Sequence, residues 1–257
     1  MKEKFIKVYD FFADDTLYYA ASLSFFTIFS ILPLLALIIV LVSYVAESSN
    51  YLDLMLDYIL NFINPTHSDT LSSFLNDFLA NTHKLGAIGI FYLLFVFTMF
   101  FKDYEYIINK IYDVEPRAVY KLFFRYLGIL VLVPLLFSIF TFVAALTDIT
   151  LIGTSIMYIF IWLLFIGLFI LSVNKKIHFK AAAISSLITL VLLNITKNLF
   201  VHYVALNTTY ATIYGSFSIV LFFFLWIYIS WSIYLYGIKF CSILNKQCIS
   251  NDFNYKE

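Results

Sequence analysis

Six stretches of this chain are each apolar for long enough to cross a lipid bilayer as a helix. They are Leu23–Ala46, Leu85–Phe101, Tyr126–Leu146, Leu151–Val173, Ala181–Tyr203 and Phe217–Phe240. A bilayer core about 30 Å thick needs roughly 20 such residues. Inside hydrocarbon every backbone N–H and C=O must find a partner within the protein, which confines a lone span to helix. No stretch alternates strictly between polar and apolar residues, which argues against an outer-membrane barrel. Composition agrees: 63% of residues are hydrophobic and 12% charged, against about 45–50% and 25% in soluble domains. The expected fold is an all-α integral membrane protein, a single polytopic domain over residues 1–257. It is a bundle of six transmembrane helices with amphipathic interfacial helices.

The placement of charge sets the expected orientation, because Lys and Arg concentrate in cytoplasmic loops. The arm Lys2, Lys4 and Lys7, the loop from Lys102 to Arg125, the loop Lys175 to Lys180 and the tail Lys239, Lys246 and Lys256 lie on one side. They hold 14 of the 16 basic residues; Lys84 lies on the other side and Lys197 within the fifth span. Both termini are therefore expected in the cytoplasm. The first span begins after Asp14-Asp15 and runs beyond the length of a signal-peptide core, so it reads as a retained anchor. The zero net charge excludes a generally basic nucleic-acid binder.

The segment 47–84 carries apolar residues at spacings of three and four, broken at Asn64-Pro65, and is expected to form two amphipathic helices on the outer face. The arm 1–16, with Phe5, Tyr9 and Phe12 on one side, and the loop 103–121 read likewise on the cytoplasmic face. Thr147-Asp148-Ile149-Thr150 leaves room only for a tight hairpin between the third and fourth spans.

No enzymatic signature is present. His67, His83, His178 and His202 occur in no metal-ligand spacing, so no metal or cofactor is expected. Cys241 and Cys248 lie on the expected cytoplasmic side and read as free thiols. GxSxG, P-loop and GxGxxG motifs are missing.

The polar residues within spans carry more information. Asn194, Lys197 and Asn198 lie in the fifth span, with His202 near its outer end. A charge in hydrocarbon costs at least about 2.5–3.5 kcal/mol. Two explanations stand: the Lys197 stem snorkels to the headgroups, or the group lines a polar cavity that meets an anionic substrate. Glu47 and Asp148 are the carboxylates placed to be its partner. With Ser185 at zero and about 100° per residue, Thr189 and Ala182 fall near 40° and 60°. Lys197, Asn194 and Asn198 fall near 120°, 180° and 220°. Small and polar faces are thus separate. If neither faces lipid, this span is among the most buried, with Asn194 and Lys197 turned inward.

Other positions read as packing features. Ala20, Ser24 and Thr27 form a small-residue stripe that lets helices approach closely. Pro33 removes a backbone donor and marks a kink or packed bend. Gly215 permits a turn or close contact at the outer end of the sixth span. Trp231, Tyr234 and Tyr236 read as an aromatic belt at the membrane interface.

These residues resemble a known family. Ala20-Ala21-Ser22-Leu23-Ser24-Phe25-Phe26-Thr27 through Pro33-Leu34-Leu35 is similar to the opening signature of the YihY/BrkB family. Ile108-Asn109-Lys110-Ile111-Tyr112-Asp113-Val114 with Arg117 resembles its cytoplasmic loop, and Pro134-Leu135-Leu136 its third span. Tyr210 to Phe217, Leu225-Trp226-Ile227-Tyr228-Ile229-Ser230-Trp231 and Gly237 follow its last span in order and spacing. The chain departs from the family at Ser172-Val173-Asn174 and at Gly237-Ile238-Lys239. The resemblance implies a multi-pass protein of the bacterial cytoplasmic (inner) membrane. The family's old label, ribonuclease BN, does not suit a chain without a nuclease constellation. Two functions stay open. The first is transport or flipping of a lipid or anionic envelope precursor, with Lys197, Asn194, Asn198 and His202 as the substrate-binding group. The second is a non-transporting structural or assembly factor of the envelope. The expected partners are membrane lipids, and a second copy of the chain or an envelope protein; nucleic acid is not among them.

Overall fold

The computed structural model describes residues 14–45, 86–145, 150–206 and 217–254, with isolated positions between 62 and 77 and at 212, 214 and 215. Among the described residues six helices form the fold: α1 Thr16–Val45, α2 Gly86–Ile111, α3 Val119–Ala145, α4 Thr150–Leu171, α5 Phe179–Leu206 and α6 Phe217–Asn254. Three apolar stretches, Val119–Phe137, Phe179–Leu206 and Phe217–Ile249, are by themselves long enough to cross a membrane. Thr16–Ile31 and Met157–Leu171 are shorter apolar ones. The surface is that of a protein in lipid. Ile88, Phe91, Phe124 and Leu199 are each at least 65% exposed, and a water-soluble monomer rarely shows so large an apolar exterior.

Helix ends explain the boundaries. The Asp14 carboxylate accepts from the Thr16 amide (3.3 Å) and opens α1. α2 closes with Asp113 at φ 53°. The Val114 amide reaches back to the Asn109 carbonyl and the Asp113 amide to that of Lys110, a Schellman closure with aspartate where glycine is usual. Gly215, at φ 54°, makes the turn before α6. Its carbonyl accepts from both the amide and the hydroxyl of Ser218. Among the described residues no atom lies within 4 Å of where a Gly215 side chain would start, and the positive φ is what the turn uses glycine for.

α2 runs ten residues past its apolar stretch. The expected separate interfacial helix over 103–121 is replaced by this continuation, a bend, and α3 starting at Val119. The reason is burial: Tyr104, Ile107, Ile108 and Tyr112 all lie on the inner side of the extension, with at most 5% exposed. Apart from isolated positions, the expected helices over 47–84 lie outside the described residues, as do the arm 1–16 up to residue 13 and the hairpin 147–150 up to residue 149. So do Glu47 and Asp148.

α6 is the central element, packed on α5, α1 and α2. It is fastened to the antiparallel α5 at three heights. Phe200 and Trp226 pack with ring centres 5.3 Å apart and planes tilted by 34°. Thr189 lies against Gly237, where an added methyl would sit 2.0 Å from the Thr189 Oγ1. The Asn245 Oδ1 accepts from the His178 amide at 2.8 Å. On α5 these contacts recur every eleven residues, close to three full helical turns, so one face serves all three. That face is the small-residue one: Ala181, Ala182, Ser185, Ser186 and Thr189 are buried.

Candidate functional site

Contacts bring the start of α1, the ends of α2, α4 and α6, and the starts of α3 and α5 to one end of the bundle. Most of the described basic residues are there, and we call it the basic end. Its interior is a polar hub. The last carbonyls of a helix have no partner within it, and α4 ends here. Arg125 donates to the Leu171 carbonyl at 2.8 Å. Asn109 and Arg117 donate to that of Ser172 at 3.2 and 3.3 Å, and Arg117 also donates to that of Val173. The Asn109 Oδ1 accepts from the Asn174 amide at 2.7 Å.

Arg117 is held in turn by Glu105. The carboxylate Oε1 accepts from the Arg117 amide at 3.0 Å and from its guanidinium at 3.1 Å. The Glu105 side chain is fully buried and that of Arg117 is 10% exposed. Next to the pair, the Tyr104 hydroxyl shares hydrogen bonds with Tyr234 at 2.5 Å and Ser172 at 2.8 Å. The Tyr126 hydroxyl lies near Ser172 without reaching hydrogen-bonding geometry. The Glu105 Oε2 is likewise buried with no partner among the described residues. A second buried group joins α2 to α6, where the Tyr112 hydroxyl faces the Cys241 thiol; burial, reinforced by Cys241, pushes that phenol well up. At the rim, Lys239 bridges to Asp14 at 2.6 Å. Burial alone would raise the Asp14 carboxyl, but the hydrogen bonds from Lys239 and Thr16 outweigh it and hold it below its ordinary value.

The residues singled out in the fifth span lie elsewhere. On α5, Asn194, Asn198 and His202 are exposed and Lys197 is half-buried. This corrects the expectation that Asn194 and Lys197 turn inward, although the span itself is the most buried of the three long apolar stretches. The opposite, small-residue face is inside because Gly237 lets α6 approach there. Asn194, Asn198 and His202 follow at intervals of four, so the structure gathers them as one outward stripe with Lys197 beside it.

The remaining positions are distributed over the fold. Ala20 and Ser24 are buried, and the Ser24 hydroxyl donates to the Ala20 carbonyl. Thr27 accepts a hydrogen bond from the Trp231 indole at 2.8 Å. Pro33 is buried within an unbroken helix. Trp231 and Tyr234 are not a lipid-facing belt. With Phe100 and Tyr104 they form an inner aromatic cluster at ring distances of 5.6–6.5 Å. Their polar tips find Thr27 and Tyr104, which no lipid would supply.

Glu105 had no distinguishing mark in a stretch that also holds Lys102, Asp103 and Lys110. The signal that could have found it is periodic: Phe97, Phe101, Tyr104, Ile108 and Tyr112 continue one helical face past the charges, with Glu105 beside it.

The family described as Virulence factor BrkB matches residues 8–254. The chain is similar to a UPF0761 membrane protein of Vibrio vulnificus (strain YJ016), 29% identical over 245 residues that cover 89% of this chain and 77% of that one. A UPF0761 membrane protein of Psychromonas ingrahamii is 28% identical, covering 88% and 82%. One of Chlorobium phaeobacteroides is 29% identical, covering 95% of this chain and 58% of that one. No solved structure matches the chain.

Proposed function

Because this chain belongs to the Virulence factor BrkB family, and its relatives are named membrane proteins, we propose that it is a six-span protein of the bacterial cytoplasmic membrane, with both termini in the cytoplasm, that moves a lipid or an anionic envelope precursor. The observation that carries this reading is the outward polar stripe on α5. From Asn194 to His202 it runs about 12 Å along the helix axis, at 1.5 Å per residue. A headgroup travelling on this path keeps polar contacts while its tails stay in the bilayer. Lys197 meets its phosphate as a point charge, and Asn194 and Asn198 orient it. The path lies on the outside of α5 and requires no channel through the bundle.

Reconstitution in liposomes tests this. With a fluorescent anionic lipid as probe, Lys197→Ala and Asn194→Leu are expected to slow transfer between leaflets. Unchanged transfer by a correctly folded Lys197→Ala protein overturns the role.

The alternative is an assembly factor that transports nothing. The hub supports it, because it fastens the ends of several helices with buried hydrogen bonds suited to a fixed shape. On this reading the α5 stripe is covered by a second copy of the chain or an envelope protein. Asn198→Cys would then crosslink in membranes, and lipid transfer would be absent.

A further inference from the structure

A cleft of about 320 Å³ opens at the basic end, between the extension of α2 and the start of α3; its lining includes Lys102, Asp103, Tyr106, Arg117, Val119 and Leu122. Residues of both signs of charge border it, around a wall that is mostly apolar. Arg117 is fixed from behind by Glu105 and by the carbonyls of Ser172 and Val173. Lys102 is exposed and makes no ion pair among the described residues. Asp103 is half-buried; burial raises its carboxyl, and Lys102 offsets part of that. The apolar stretch of α3 begins at Val119, inside the cleft. Tyr120 and Phe124 stand exposed just beyond it.

We propose that this cleft binds the headgroup of a zwitterionic phospholipid bearing a primary amine. The phosphate faces Lys102 and Arg117, and the ammonium faces Asp103 and the Tyr106 ring. Charge complementarity selects this occupant. An anionic headgroup without an amine leaves Asp103 opposed to like charge, and a choline headgroup has no N–H to donate to it. An ammonium over an aromatic face gains further attraction. The volume is at the small end of ligand pockets, enough for a headgroup, while the chains lie outside along Tyr120 and Phe124. Basic pockets between membrane helices on the cytoplasmic side hold anionic lipid headgroups, and Asp103 is what would adapt this one to an amine. Because Arg117 belongs to both the cleft and the hub, occupancy tightens or loosens the same side chain that caps α4. The proposal rests on the membrane placement given above and not on transport.

The test is native mass spectrometry of purified protein in micelles with equal mole fractions of phosphatidylethanolamine, phosphatidylglycerol and phosphatidylcholine. Wild type is expected to retain phosphatidylethanolamine over either competitor by about fivefold. Asp103→Asn is expected to shift the preference to phosphatidylglycerol, and Lys102→Ala to weaken retention of both phosphate headgroups. Lys175→Ala, an exposed lysine of the basic end outside the cleft, is expected to leave the preference unchanged, which separates this site from general surface charge. Thermal midpoints of the variants establish that they are folded. Retention that merely follows the lipid mixture overturns the proposal, as does a phosphatidylethanolamine preference intact in Asp103→Asn. Displacement by an equal concentration of soluble glycerophosphoethanolamine also overturns it, since the site would then serve a soluble compound.

Discussion

Arg117 divides its hydrogen bonds between a buried carboxylate and the open end of α4. Removing one partner of such a pair leaves the other charged in a low-dielectric interior, at a cost of about 3–5 kcal/mol. Arg117→Ala should therefore lower the thermal midpoint in detergent, followed by tryptophan fluorescence, more than any single loss of a hub hydroxyl. Replacing both members, as Arg117→Met with Glu105→Leu, should recover part of the loss, because no charge is then stranded. Asp113 offers the opposite sign. A non-glycine residue at positive φ costs roughly 1 kcal/mol, so Asp113→Gly should raise the midpoint in the same assay. The sequence marked Asn109 and Arg117 only as members of a motif, and Glu105 not at all. Which carboxylate is buried depends on how α4 and α6 meet α2, and neither is adjacent to Glu105 in sequence.

Among the elements, the seam between α5 and α6 is the most demanding. A methyl on Gly237 collides with the Thr189 hydroxyl, and overpacking of this kind costs about 1–3 kcal/mol. Gly237→Ala is expected to destabilise by that order in thermal denaturation, and Thr189→Gly in the same chain to restore part of it. A double-mutant cycle should give a coupling of about 0.5–3 kcal/mol. Which face of α5 is buried is not legible in its sequence, for a physical reason. Periodicity separated the small face of α5 from its polar face, but both are poor surfaces for lipid, so it could not say which one the bundle takes. The close approach at Gly237 decides it. Trp231 and Tyr234 were ambiguous for a related reason: α6 is apolar around its whole circumference, so an aromatic near its end fits a belt or a core equally well. Helix identity and approximate ends were legible, because apolar runs and flanking charges fix them locally. The continuation of α2 was not, since its support comes from distant helices.

For the molecule as a whole, the distribution of charge makes a claim about sidedness. Lys175 is exposed in the turn between α4 and α5, at the basic end. Asp69 is exposed in the segment expected on the opposite side. In a background where Cys241 and Cys248 are replaced by serine, Lys175→Cys should react with a membrane-impermeant maleimide only in inside-out vesicles. Asp69→Cys should react only in intact cells. The reverse pattern would invert the orientation, and labelling of both from one side would remove the six-span arrangement. The three fastenings between α5 and α6 bear on how such a protein could move. With an aromatic contact at one end, a close approach at Gly237 in the middle and a capped amide at the other, the two helices are tied along their length as one lever. Any working cycle that rocked that lever against α1 and α2 would have to break the Trp231–Thr27, Tyr234–Tyr104 and Lys239–Asp14 contacts, which hold α6 to both.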